Sequence, residues 1–286
     1  MANHSKPTLL RQFILSLLAM GVLWLAAWLV LESFDLVGRT KQASIGHQAE
    51  QRIGDLLIEQ LGRQYTPVYN PKLEEQTEAL LQRLCTAAKM NVCDVQVHLF
   101  RSDAVNAFVI PGRHMVVFSG LAADTENAEE YAGVLAHELA HIVLDHVMER
   151  MVRELGSSLL LTLSGMDGPG ELIAQVLRVV TTSRYSREQE RQADLKAVEL
   201  LHNAGIDPQP LAHFMLRMAT RKRDVPDIPA WISTHPDSRD RASEIVERIR
   251  AVHKEAAAET IVEYEPVYAG NWTGLVRAVT PADAPS

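Results

Sequence analysis

Two histidines four residues apart, in His137-Glu138-Leu139-Ala140-His141, sit inside an apolar run that includes Val134, Leu135, Ile142, Val143 and Leu144. Residues at that spacing share a helix face, so both imidazoles reach one metal ion. Glu138, about 100° round the same helix, approaches a metal-held water without being a ligand. The apolar flanks bury this helix, and burying two histidines and a glutamate costs several kcal/mol unless a metal or hydrogen bonds satisfy them. Asn127, with Glu130 three residues on, gives a capping-box-like start, and the helix is expected to run to about Arg153.

A tetrahedral catalytic zinc takes three protein ligands and keeps one position open. The two cysteines, Cys85 and Cys93, lack a C-x-x-C pattern and make a poor zinc site. They close a short disulfide loop in an oxidising compartment, or serve as small core residues in a reducing one. The third ligand is therefore expected to be His, Glu or Asp from another element. Glu190 and Asp194 sit four apart on a helix expected over Arg187 to Ala204. In that arrangement Glu190 binds the metal, and Asp194 takes the N–H of a ligand histidine, His137, fixing its tautomer. Glu188 is the competing ligand. Alone, such a pair reads as a solvated helix face, and it gains force only jointly with the helix carrying His137. His146, about 140° round from His141, reads as a structural histidine.

At 286 residues, 47% hydrophobic and 22% charged, the chain is long enough and apolar enough for a real core. Its net charge of -8 and lack of a Lys/Arg cluster give no footprint for nucleic acid. Phe13 to Leu31 carries no charge and no proline, and as a helix it spans about 28 Å, close to a bilayer's hydrocarbon thickness. No A-x-A site follows, so it reads as an uncleaved signal anchor in the lipid bilayer. Lys6 and Arg11 precede it and Arg39 and Lys41 follow, a near-balanced count. The short N-terminal tail is placed inside and the large domain on the far side, facing a bacterial periplasm.

The expected organisation is a cytoplasmic tail over 1–12, an anchor over 13–31 and a juxtamembrane linker and helix over 32–71. The main domain follows over 72–254, with a strand-and-coil tail over 255–286. Ile53, Leu57 and Leu61, then Leu73, Leu80, Leu81 and Leu84, mark two helices. Val95, Val97 and Leu99 alternate as a strand, and Ala107 to Ile110 and Met115 to Phe118 flank the turn dipeptide Pro111-Gly112. Residues 156–183 read as a helical hairpin whose halves are too short to span a bilayer. Helices around Pro210 to Thr220 and Ser238 to Lys254 follow.

Four motifs, in order, carry a resemblance. They are Asn106-Ala107-Phe108-x-x-Pro111-Gly112, His137-Glu138-x-x-His141, Glu190-x-x-x-Asp194, and Thr234-His235-Pro236 with Arg241 following. Over about residues 45 to 250 the chain resembles the HtpX-like and BepA-like zinc metallopeptidases, relatives of the CAAX prenyl endopeptidases. The resemblance implies an α+β, mainly helical gluzincin fold: a zincin-like metallopeptidase domain with a small sheet, here preceded by one transmembrane helix. It implies one zinc ion on His137, His141 and Glu190, with Glu138 as base. Asn106, Ala107, Phe108, Pro111 and Gly112 would wall the cleft, and His114 to Leu121 would be the edge strand that pairs with an extended peptide. His235 and Arg241 would lie near the metal, as oxyanion stabilisers or as a gate over it. Arg113 departs from the family, which commonly has a second glycine there. The implied activity is peptide-bond hydrolysis in unfolded or misassembled envelope proteins. The rivals are a chaperone or assembly factor on the same fold, with proteolysis absent or self-blocked by His235, and a multispanning intramembrane protease, which needs more than one long apolar span.

Overall fold

The computed structural model describes residues 46–156, 170–224, 231, 234–235, 238–256 and 264–277, with scattered positions between 15 and 25. The chain forms two units, Met1–Ile45 and Gly46–Ser286. In the first, Leu15, Ser16, Ala19, Met20, Gly21, Trp24 and Leu25 are helical, and the rest of the expected anchor lies outside the described residues. Among the described residues no helix is long and apolar enough to cross a membrane. The first half of the expected 156–183 hairpin also lies largely outside them.

In the second unit, helix α1 (His47–Gln64) buries Ile53, Leu57 and Leu61 along one stripe. Gly54 belongs to the same face, where a Cβ would stand 2.1 Å from the Pro111 carbonyl oxygen. A glycine lets the helix backbone sit directly on that turn. Helix α2 (Pro71–Ala87) starts where Asn70 accepts from the Leu73 N–H, with Pro71 in the first turn.

Three strands follow: β1 (Gln96–Phe100), β2 (Ala107–Ile110) and β3 (His114–Phe118). Their order is β1-β3-β2, with β1 parallel and β2 antiparallel to β3. This corrects the expectation that His114 to Leu121 forms an edge strand. β3 is central, all five of its residues are buried, and Ser119–Asp124 is a short helix, α3. An unbroken apolar strand is the pattern of one covered on both faces. Gly112 and Arg113 in the β2–β3 turn both have positive φ, 76° and 58°. Arg113 therefore occupies a left-handed position that suits glycine, with its guanidinium on Asp94 at 2.6 Å.

The two edges differ. The outer edge of β1 is covered by residues 66–68, where Arg101 N–H donates to Thr66 and Val68 N–H to the Leu99 carbonyl. On β2, Phe118 N–H donates to the Asn106 carbonyl at 3.1 Å. That bond places Asn106, Phe108 and Ile110 toward β3 and turns the backbone groups of Val105, Ala107 and Val109 outward.

Helix α4 (Ala128–Val143) is buried at every position from Ala128 to Ile142 except Glu129. It lies against β2 and α2 as well as two later helices, α7 (Arg187–Asn203) and α8 (Gln209–Asp224). The single helix expected to reach Arg153 is interrupted. Leu144 ends α4, Asp145 turns left-handed at φ 57°, and α5 (His146–Leu155) begins in a new direction. Helix α6 (Gly170–Thr182) precedes α7, and α9 (Ser238–Ala256) packs on α7 and α8. In the described part of the tail, 264–277, irregular chain leads not into a strand but into a helix, α10 (Trp272–Arg277), which buries Trp272, Leu275 and Val276 at helical spacing. Cys85 and Cys93 are joined as a disulfide.

Candidate metal centre

α4 presents His137 and His141 with their Nε2 atoms 3.1 Å apart. α7 is fixed by a capping box, Ser186 with Gln189, one turn before Glu190. It delivers the Glu190 carboxylate, whose oxygens lie 3.6 Å from His137 Nε2 and 3.7 Å from His141 Nε2. His235 Nδ1 lies 3.3 Å from His137 Nε2 and 2.9 Å from Glu190 Oε1. One donor atom from each of His137, His141, Glu190 and His235 thus falls within 4.8 Å of every other. Four ligands tetrahedral about zinc at its usual bond lengths stand about 3.3 Å apart, so these residues fit that ion.

The donor chemistry fits equally. Burial lowers the His137 pKa, and burial with the neighbouring imidazoles puts that of His141 well below the usual histidine range. Both rings are therefore neutral, with lone pairs available. Asp194 Oδ1 lies 3.0 Å from His137 Nδ1, which leaves Nε2 to face the cluster. On His141, Nδ1 faces His146 Nδ1 at 3.1 Å, and His146 reaches on to Gln192. His146 is buried beside the cluster but outside it, returned there by the break at Asp145.

Glu138 is fully buried, and neither carboxylate oxygen has a hydrogen-bond partner among the described residues. Burial and then the Glu190 charge push its pKa well above the usual carboxylate range. Burial raises Glu190 to about 7, against the pull of Arg241. Burial acts the same way on Asp194, but Arg241 and His137 outweigh it and hold that carboxyl below its ordinary value.

Arg241 sits on the far side of these carboxylates. It forks onto Asp194 at 2.7 and 2.8 Å and reaches Glu190 at 2.5 Å. Its guanidinium is thus directed at two acids rather than into open space. Glu188, the competing ligand, is exposed and bonded to Gln192, away from the cluster. Asn106, Ala107 and Phe108 are buried at or beside β2, and Pro111 and Gly112 form its turn under α1.

Three neighbours carry no signal in the sequence. The Trp231 ring stacks on His235 with centroids 4.8 Å apart, its backbone N–H donates to the outward Val105 carbonyl, and its indole N–H has no hydrogen-bond partner among the described residues. Tyr185 stacks on His141 at 3.7 Å, and Arg150 lies over the tyrosine ring at 4.1 Å. Aromatic and arginine positions outside any period look like ordinary core or surface until the fold is known; only the place of Tyr185 just before a capping box was visible.

A donor set of this kind, in a largely helical domain with a sheet edge beside it, is the arrangement around which the zincin class of metallopeptidases is built. The chain belongs to peptidase family M48, which it matches over residues 71–249. It is similar to the β-barrel assembly-enhancing protease of Yersinia pestis, 29% identical over 73% of this chain and 47% of that protein. It is also similar to the mitochondrial metalloendopeptidase OMA1 of Schizosaccharomyces pombe, 28% identical over 67% of this chain and 57% of the relative. The human OMA1 metalloendopeptidase is 25% identical over 79% of this chain and 48% of its own. The chain spans about half the length of the curated relatives it matches.

Proposed function

We propose that the chain is a membrane-anchored zinc metalloendopeptidase that cleaves misfolded or misassembled envelope proteins from the periplasmic face of a bacterial inner membrane. The observation that carries the chemistry is the bare, buried Glu138 carboxylate beside four converging metal donors. The anchor rests on the apolar stretch Phe13 to Leu31. A Cys85–Cys93 disulfide suits an oxidising compartment. A relative named for β-barrel assembly supports an envelope substrate.

His137, His141 and Glu190 would hold zinc, which supplies an acidified water and a polarised scissile carbonyl. Glu138 takes the proton from the attacking water and delivers it to the leaving amine, a transfer its raised pKa favours. Asp194 and Arg241 keep the His137 tautomer and the Glu190 carboxylate in place. An extended peptide pairs with the outward edge of β2. There Ala107 has backbone groups without a partner among the described residues, and the buried Oδ1 of the preceding residue, Asn106, is likewise unpartnered.

One observation favours a latent form of this enzyme. His235 supplies the fourth donor, its Nε2 lies 3.4 Å from Glu138 Oε1, and Trp231 ties its segment to the β2 edge. In this conformation His235 takes the place a substrate carbonyl needs. The test is casein cleavage and zinc content in the intact chain, in Glu138→Gln and in His235→Ala. Glu138→Gln should keep zinc and lose cleavage, whereas His235→Ala should cleave faster. Turnover by Glu138→Gln refutes its role as base. Absence of cleavage in both the intact chain and His235→Ala returns the fold to the chaperone or assembly-factor alternative.

A further inference from the structure

Resting on the peptidase reading, the geometry points to Tyr185 as a further catalytic residue, its hydroxyl donating a hydrogen bond to the scissile carbonyl oxygen as that oxygen gains charge. Hydrolysis needs such a donor. The Trp231 indole N–H and Arg150 Nε also lack hydrogen-bond partners among the described residues, but the indole N–H faces the Glu138 carboxylate. His235 is part of the donor set, and Arg241 is bound to Asp194 and Glu190. Arg150 is screened from the metal by the tyrosine itself. His141 lies 3.7 Å from the Tyr185 ring and Arg150 4.1 Å from it, and two groups that close must take opposite faces.

Tyr185 is 3% exposed, yet its hydroxyl has no hydrogen-bond partner among the described residues. Buried tyrosine hydroxyls usually find one. This donor is held idle within a ring's length of a proposed zinc ligand, with the His235 ring 5.6 Å away. Its position is set from three sides. The imidazole of His141 stacks on one face, the Arg150 guanidinium covers the other, and the Ser186–Gln189 capping box fixes the backbone one residue on. Arg150 also approaches the Val109 carbonyl at 3.5 Å, on the edge where a peptide would pair. The aromatic ring is thus wedged between substrate edge and metal cluster, the setting in which a preorganised donor acts.

The step balances without proton transfer from tyrosine. Water oxygen bonds to the carbonyl carbon, the π pair moves onto the carbonyl oxygen, and Glu138 takes the water proton. The Tyr185 O–H bond stays intact and its hydrogen bond strengthens as negative charge develops. Collapse re-forms the carbonyl, breaks the C–N bond and returns the proton from Glu138 to the amine.

Tyr185→Phe keeps both stacking faces and removes only the hydroxyl. In the intact chain and in the His235→Ala background, it should lower kcat about 100-fold or more with KM little changed. Zinc content and melting temperature should stay the same. Calorimetry gives a readout apart from turnover. A phosphinic peptide, whose tetrahedral P–O⁻ stands in for the oxyanion, should bind more weakly to the variant by a comparable factor. A peptide thiol, which has no such oxygen, should bind both proteins alike. Unchanged kcat and phosphinate affinity, or loss of zinc from the phenylalanine variant, would overturn the assignment. If neither background cleaves peptides or binds the phosphinate with tyrosine present, the peptidase reading itself fails and Tyr185 with it.

Discussion

Replacing Arg241 by Met should damage the fold and the metal site before it touches chemistry. The guanidinium makes two contacts to Asp194, at 2.7 and 2.8 Å, and one to Glu190 at 2.5 Å, all in a buried setting. Methionine matches much of the volume but leaves both carboxylates without their cation. Removing one partner of a buried ion pair costs about 3–5 kcal/mol. Two acids lose a partner here, which would argue for more, but Glu190 has an escape. Its pKa already stands at about 7 with Arg241 present, so at neutral pH it can take up a proton rather than remain an unpaired charge. Asp194 keeps His137. The expected loss is therefore about 3 kcal/mol, a fall of roughly 6–12 °C in Tm for a domain of this size. The assay is calorimetric unfolding of the chelator-treated protein, followed by zinc titration, where loss of a group that holds a ligand's partner weakens binding about 10–100-fold. Arg241→Lys restores charge without the fork and should recover only part of both. If the methionine variant melts within about 2 °C of the parent, binds zinc as tightly and loses only kcat, then Arg241 stabilises an oxyanion directly and the positioning argument is wrong.

Gly54→Ala and Gly62→Ala lie on the same helix and should move stability in opposite directions. Alanine gains roughly 0.5–1 kcal/mol over glycine in a helix, but at Gly54 the new Cβ would stand 2.1 Å from the Pro111 carbonyl oxygen. Overpacking of that kind costs about 1–3 kcal/mol, so Gly54→Ala should melt lower, while Gly62, with nothing within 4 Å, should melt higher. Zinc affinity should fall about tenfold per pH unit below roughly pH 7. The sign follows from Glu190, which is protonated in the metal-free chain below its raised pKa and must release that proton to bind. Burial lowers the pKa of all three histidines, so their protonation adds to the slope only further down the pH scale. Chelator competition across this range measures it, and a slope near three would show that the imidazoles titrate as well.

Local signals in the sequence carried the helices and half of the centre. The 3.6-residue period of Ile53, Leu57 and Leu61, the proline and asparagine before α2, and the Pro111-Gly112 turn all encode structure within a few residues of themselves. His137 and His141 belong to the same kind of information, since one helix turn sets both. The break at Asp145 does not. Nothing local forbids the helix from continuing, although aspartate tolerates a left-handed turn better than most residues, and what the turn achieves is distant: it returns His146 to His141 and lets Arg150 reach Tyr185. The central place of β3 escapes the sequence for a related reason. The turn tells that β2 and β3 pair, but only the continuous burial of His114–Phe118 tells that β3 has a neighbour on both sides.

The part of the site that resisted reading is the part made by pairs distant in sequence. The Arg241 fork onto Asp194 and Glu190, the Tyr185 ring on His141 and the Trp231 ring on His235 are all of this kind. In each case a residue that the motifs pick out is held in place by a partner that no periodicity announces. Even the choice of Glu190 over Glu188, two positions away, is decided by which side of α7 meets α4: one carboxylate is buried against two imidazoles, the other is in solvent with Gln192. The same packing means that, in the proposed latent form, inhibition and catalysis would share residues. Among the described residues the segment that carries His235 meets the rest through the Trp231 backbone bond to Val105, the His235 contact with Glu190 and ring stacking, and in the proposed latent form it is the one that withdraws.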